Sequence, residues 1–102
     1  MTSFPIRITR YFSADPFPGI VESELRDIDG EVHRVRDKTS IFSCDPLTKE
    51  SSYPQMALIE VRVIESDNLT SRALIDIDVP LGLESVEGLT RFWVDSRLVE
   101  FT

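Results

Sequence analysis

Side chains able to carry out nucleophilic catalysis are few in this sequence. The chain of 102 residues has one cysteine, Cys44, and one histidine, His33. A cysteine nucleophile needs a base beside it, and nothing in the spacing of these residues brings the two together. Asp45 would also disfavour a reactive thiolate at Cys44. We therefore expect Cys44 to be a buried or half-buried thiol, and His33 to be partly buried and hydrogen-bonded and not a ligand or general base.

Carboxylates are more abundant, and carboxylate oxygens are typical calcium ligands. Segments 27–31 and 76–78 carry acidic residues at alternate positions. A helix–loop–helix calcium site would need more ligands at fixed offsets and flanking helices, which the sequence does not predict. A weak site assembled from separate loops is the alternative. We expect no metal and no cofactor.

Other catalytic motifs are missing from the sequence. There is no glycine-rich phosphate loop and no Gly-x-Ser-x-Gly elbow. One tryptophan and two tyrosines offer little for a sugar-lined glycosidase cleft. Basic residues interleaved with aromatics, as a nucleic-acid platform requires, occur only faintly, in segment 7–12. The sequence therefore predicts a protein that is not an enzyme.

Composition and charge indicate what the chain could bind. An apolar fraction of 41% and a charged fraction of 28% fit a single soluble globular domain, residues 1–102. The net charge is −7, of which residues 50–102 contribute −6, from four arginines and ten acids. This balance predicts repulsion of nucleic acid and anionic membranes and attraction to basic protein surfaces. The alternative is that the acidity only confers solubility.

Three sequence features predict a cytoplasmic protein. A single cysteine cannot form an internal disulfide, which agrees with a reducing compartment. Segment 1–7 lacks the basic region and apolar stretch of a secretory signal, and no apolar run is long enough to span a bilayer.

The elements that must position these residues are read as hairpins. In segment 19–38, a two-residue Asp29-Gly30 turn would mix apolar and charged side chains on both faces. A three-residue loop at 28–30 instead places Val21, Leu25 and Val35 on one face. It also pairs Glu24 with Arg34 and Glu22 with Arg36.

Segment 56–79 predicts a second hairpin, with Val63 opposite Ile75 and Arg62 opposite Asp76. The same register places Ile64 opposite Leu74 and Glu60 opposite Asp78, an acidic strip that would suit a cationic partner. A third hairpin about Asp95-Ser96 would pair Trp93 with Leu98 and Arg91 with Glu100.

The remaining segments complete an all-β pattern. Segment 4–13 predicts a bulged strand, 15–19 a proline-rich turn, 39–43 a short strand and 45–54 a long loop. Segment 83–88 is either a helical turn or irregular. Phe17, on the stiff turn, either anchors a partner or folds back into the core. The sum is an antiparallel sandwich or small barrel of seven to eight strands.

A resemblance adds a functional expectation. Segments 17–22, 29–30 and 84–89, with His33 and Asp37-Lys38, resemble a group of short uncharacterised bacterial proteins. In size and acidity the chain resembles the immunity proteins that accompany toxins of contact-dependent growth inhibition. This resemblance implies an acidic face that docks on a basic toxin, often a nuclease, and blocks its substrate groove. We predict that the partner-binding residues are Glu60, Asp76, Asp78, Leu58, Leu74 and Phe17.

Two other functions are open at this point. One is an interaction module or homo-oligomer that uses an exposed strand edge. The other is a barrel that binds a small molecule in an interior around Trp93.

Overall fold

The computed structural model describes residues 1–43 and 47–101, so the predictions for Cys44 and Asp45 lie outside the described residues. The described chain forms two antiparallel sheets arranged as a sandwich, which confirms that prediction and excludes the closed barrel. The strands are β1 (Thr2–Ser13), β2 (Ile20–Arg26), β3 (Val32–Lys38), β4 (Gln55–Glu60), β5 (Arg62–Asp67), β6 (Arg72–Asp76), β7 (Arg91–Asp95) and β8 (Glu100–Phe101). A single helical turn, α1 (Thr39–Phe42), follows β3, and a 3₁₀ turn, Ser96–Leu98, follows β7.

The large sheet has the strand order β3-β2-β1-β4, and β8 pairs with the start of β1. The small sheet has the order β5-β6-β7. Alternate positions of both sheets point inward, because side chains along a strand alternate between faces. The core between the sheets is built from buried apolar residues that include Phe4, Ile6, Ile8, Val21, Leu25, Ile59, Ile75, Phe92 and Val94.

The first predicted hairpin is confirmed in its register. Leu25 lies opposite His33, and Glu22 lies opposite Arg36. The loop closes through a hydrogen bond of 2.9 Å from the Asp27 N–H to the Glu31 carbonyl. Gly30 adopts a φ of 84°, the left-handed conformation that the bulged loop requires. Both bulges of β1 also fall within segment 8–13, where the alternation is lost.

The second predicted hairpin is wrong at its first strand. The pairs Arg62–Asp76 and Val63–Ile75 are confirmed, but β4 pairs with β1, in the other sheet. The chain changes sheets at Val61, whose N–H donates to the Thr2 carbonyl at 2.9 Å. The alternation continues unbroken through Val61 because both sheets bury the same parity of residues, so the pattern gives no sign of the crossing.

The third predicted hairpin is also wrong. Trp93 lies opposite Leu74, and Arg91 lies opposite Asp76. The Asp95 carboxylate accepts the Arg97 N–H at 3.0 Å and stabilises the 3₁₀ turn, which directs β8 to the large sheet. Val99, which follows this turn, is buried.

The structure also decides three smaller points, and the first of them corrects a prediction. Segment 39–43 was predicted as a strand but forms α1, which buries Thr39 and Phe42 on one side. Segment 83–88 is irregular, with Leu83 fully buried and Ser85 bridged to β3. Phe17 is 90% exposed, so it does not fold back into the core. The described part of the 45–54 loop, residues 47–54, carries no strand or helix, as expected.

Candidate functional site

Asp76, the centre of the predicted acidic strip, is buried and neutralised by the protein's own arginines. Its Oδ2 accepts a hydrogen bond of 2.8 Å from Arg62 and lies 3.9 Å from Arg91. Its Oδ1 accepts the Asp78 N–H at 2.9 Å. With both oxygens occupied by the chain itself, Asp76 is a structural residue and is not available to a partner.

The predicted pairing of Glu60 with Asp78 is wrong. Glu60 lies opposite Ser3 in the large sheet, whereas Asp78 follows the end of β6 in the small sheet. Because the chain changes sheets at Val61, Glu60 ends a strand of the large sheet, and the strand that precedes Asp78 belongs to the small sheet. Ile64 forms a bulge, so Leu74 lies opposite Glu65 and not opposite Ile64.

The three apolar site candidates lie on different surfaces. Leu58 is 54% exposed on the outer face of the large sheet. Leu74 is half-buried beside Trp93 on the outer face of the small sheet. Phe17 follows the far end of β1, whereas Glu60 lies at its beginning. Trp93 therefore faces outward, and the barrel interior predicted around it does not exist.

A groove at the β5 end of the sandwich brings together residues that the sequence did not group. The cavity measures about 500 Å³ and is lined by Thr2, Glu60, Val61, Arg62, Val63, Val79, Pro80 and Phe101. A second cavity of about 160 Å³ adjoins it and shares Val63 and Phe101. Phe101 is 72% exposed. We call the two cavities together the β5 groove.

Carboxylates outnumber basic groups around the β5 groove. Glu60 lines it, and Glu100 lies on the other side of Ser3 in the same cross-strand row. Asp78 is exposed and directly precedes Val79. Among the described lining residues the basic side chain is Arg62, which is bound to Asp76. The β5 groove is thus an apolar surface with an acidic margin.

A second cluster lies at the loop of the first hairpin. The ligand atoms of Asp27, Glu31 and His33 lie within 4.8 Å of one another. His33 Nε2 lies 2.8 Å from Asp27 Oδ2, and Asp27 Oδ1 accepts the N–H groups of Asp29 and Glu31. Burial raises the pKa of Asp27, but the hydrogen bonds from His33 and the backbone outweigh it and lower the pKa below its ordinary value.

The contacts of this cluster account for the positions of Asp27 and His33. Asp27 holds the loop closed, and the His33 ring packs on Phe92 with centroids 4.6 Å apart. The expectation of a half-buried, hydrogen-bonded histidine is confirmed. A metal ion would have to displace the hydrogen bond between His33 and Asp27.

Comparisons with known proteins returned no neighbour: no family model, no curated protein and no solved structure matches this chain. In the described residues, no helix is both long and apolar enough to cross a membrane.

Sequence reasoning missed Phe101, Val63 and Val79 as members of one surface. Val63 was correctly paired with Ile75, but the strand that holds Phe101 was paired with the wrong neighbour, so their meeting could not be derived. The signal that was present is the set of acids in the second half of the chain. Glu60 lines the β5 groove, and Asp78 and Glu100 directly precede its lining residues Val79 and Phe101.

Proposed function

We propose that this protein is a non-catalytic inhibitor of the immunity type, which binds a basic toxin domain through the β5 groove and blocks the toxin's substrate surface. A nuclease is the most concrete case. The observation that supports this proposal is an apolar groove of about 500 Å³ that Glu60 lines, with Asp78 and Glu100 directly before its lining residues Val79 and Phe101. Its basic lining residue, Arg62, is bound to Asp76.

The two parts of the β5 groove would contribute differently to binding. A nuclease must present lysine and arginine side chains to phosphate, and carboxylates on a rigid sheet raise the association rate with such a surface. Affinity requires a centre from which water is excluded, and exposed Phe101 beside Val63 provides the apolar area for it. In this proposal Glu60 and Asp78 remain partner-binding residues, whereas the buried Asp76 is not one of them.

The test is to look for a toxin gene beside the gene of this protein, to co-express the two proteins, and to measure their binding by calorimetry and stopped-flow kinetics. A neighbourhood that holds no toxin gene would count against the proposal. We expect the double variant Glu60→Lys, Asp78→Lys to lose growth rescue and to weaken binding by more than about tenfold, mainly through the association rate at low salt.

The matched control is the double variant Glu84→Lys, Glu87→Lys, in which two other exposed acids are reversed in charge. Glu87 follows Val86, whose N–H is bonded to Arg34 on β3, and β3 and β4 are at opposite edges of the large sheet. This control should bind as the wild type does. Binding that the double variant leaves unchanged would contradict the proposal.

A further inference from the structure

The four long edge strands of the sandwich are not equally protected against pairing with another strand. An open edge exposes unpaired N–H and C=O groups, and proteins normally block it with charges, bulges or covering loops. On β3, Val35 is bridged to Ser85 and Arg34 accepts the Val86 N–H. On β7, Trp93 accepts the Ile28 N–H of the hairpin loop.

The β5 edge is protected in a different way. A bulge lies between Val63 and Glu65, and the strand carries charges at both ends, Arg62 and Asp67. A bulge bends the edge and breaks the regular series of hydrogen-bonding groups that a partner strand would need. Three of the four edges are therefore blocked by recognisable devices.

In the described part of the chain, β4 has no bulge and no loop joined to it by backbone hydrogen bonds, and α1 lies close to it. β4 pairs with β1 over six residues without a bulge, and its first five residues, Gln55 to Ile59, carry no charge. Met56 is 68% exposed and Leu58 is 54% exposed. Apart from the ladder with β1, no backbone hydrogen bond joins β4 to another part of the described chain. A flat, uncharged, partly apolar edge of this kind is a site for strand pairing.

We propose that β4 pairs antiparallel with β4 of a second copy of this chain, about a two-fold axis at Leu58, so that two large sheets become one continuous sheet. This inference does not depend on the proposed function, and Glu60, the last residue of β4, borders both surfaces. A two-fold axis perpendicular to the sheet places Leu58 opposite itself on the outer face, next to Pro5 of each copy.

Charge favours a second copy as the occupant. Two chains of charge −7 repel each other, so a second copy can approach most easily along a segment without acids, and Gln55 to Ile59 carry no charge. In the register centred on Leu58, Glu60 lies opposite Met56 of the second copy. Arg7 is the neighbour of Met56 within each large sheet, so the row continues from Glu60 across Met56 to the second copy's Arg7. Each of the two symmetry-related rows on the outer face therefore holds Glu60 of one copy and Arg7 of the other.

The mass in solution tests this proposal. Sedimentation equilibrium of the full chain should give a species of twice 11.6 kDa that dissociates on dilution. Leu58→Lys places two positive charges together on the axis and should weaken the dimer by more than about tenfold. The matched control is Ile64→Lys on the bulged β5 edge, where the exposed fraction is 38%, and it should leave the dimer intact.

Cross-linking tests the register independently. In a Cys44→Ser background, Leu58→Cys should form an intermolecular disulfide readily under mild oxidation, because the residue is opposite its own copy. Met56→Cys should not, because it is opposite Glu60 of the second copy. A wild-type chain that stays at 11.6 kDa at high concentration would overturn the proposal. So would a dimer that Leu58→Lys leaves intact, or that Ile64→Lys disrupts.

Discussion

Each sheet buries one carboxylate on a central strand between two arginines, and the two sites differ in what the carboxylate holds. In the large sheet, the Glu22 oxygens accept one hydrogen bond each, at 2.9 Å, from Nε of Arg10 and of Arg36. In the small sheet, Asp76 binds Arg62 at 2.8 Å with one oxygen and the Asp78 N–H with the other.

The difference is one of reach. The longer glutamate extends to both neighbouring strands and joins β1, β2 and β3 through side chains alone. The exposed ring of Phe12 supports both guanidiniums, with Arg36 Cζ 4.2 Å and Arg10 Cζ 5.1 Å from its centroid. One oxygen of the shorter Asp76 side chain accepts the N–H of Asp78, and β6 ends at Asp76. Glu22 therefore hydrogen-bonds to both neighbouring strands. Asp76 hydrogen-bonds to Arg62 on one neighbouring strand, lies 3.9 Å from Arg91 on the other, and shapes the turn that follows.

Removing Glu22 should have the larger effect. Glu22→Ala deletes two charge-assisted hydrogen bonds and leaves two guanidiniums close together, so we expect a loss of about 2–4 kcal/mol in the free energy of unfolding. Urea denaturation followed by circular dichroism measures it. The control is Glu24→Ala in the adjacent row, where the glutamate is only half-buried, with an expected loss below about 1 kcal/mol. Equal losses in Glu22→Ala and Glu24→Ala would show that the burial of Glu22 does not increase its contribution to the free energy of unfolding.

Substitutions at Asp76 should distinguish its ion pair with Arg62 from its hydrogen bond to the Asp78 N–H. Asp76→Ala removes both the ion pair and the acceptor for the Asp78 N–H, with an expected loss of about 1–3 kcal/mol. Asp76→Asn keeps an acceptor oxygen and should recover part of that loss. Glu22→Gln should recover little of the loss at Glu22, since one amide oxygen cannot accept from both arginines in the same geometry. Similar recovery at both sites would contradict the distinction.

These two residues also show how far the sequence can lead. The pairing of Glu22 with Arg36 follows from a local loop, because the turn fixes the register of its own strands. The Arg10 contact required knowing that β1 lies beside β2. Asp76 was placed correctly opposite Arg62, but its burial depends on Arg91, from a strand that sequence reasoning paired elsewhere.

The candidate site was less predictable for the same reason. The β5 groove forms where β4 crosses to β5 and where β8 joins the other sheet. Both crossings depend on long-range packing, which alternation of apolar residues does not encode. Local turn chemistry gave the hairpin loop at 28–30, and nothing local could have placed Phe101 beside Val63.

The contribution of Glu22 to the free energy of unfolding should also depend on pH. Hydrogen bonding from Arg10 lowers the pKa of Glu22, burial opposes this, and Arg36 adds to the lowering. A carboxylate whose pKa is lower in the folded state stabilises the fold fully above its unfolded pKa, about 4.3. That stabilisation is lost as the pH falls through the folded value. The difference in unfolding free energy between wild type and Glu22→Gln should therefore shrink on acidification, and a difference independent of pH would contradict this account.

The most direct test of the β5 groove compares two exposed phenylalanines. Phe101 lines the groove, and Phe17, at 90% exposure, lies beyond the opposite end of β1. The measurement is calorimetric affinity for a basic toxin domain that the wild-type protein binds, with Phe101→Ser and Phe17→Ser as a matched pair. We expect Phe101→Ser to weaken binding by more than about tenfold and Phe17→Ser to leave it unchanged. The reverse pattern, or equal affinity for both variants and the wild type, would contradict the assignment of the β5 groove as the docking surface.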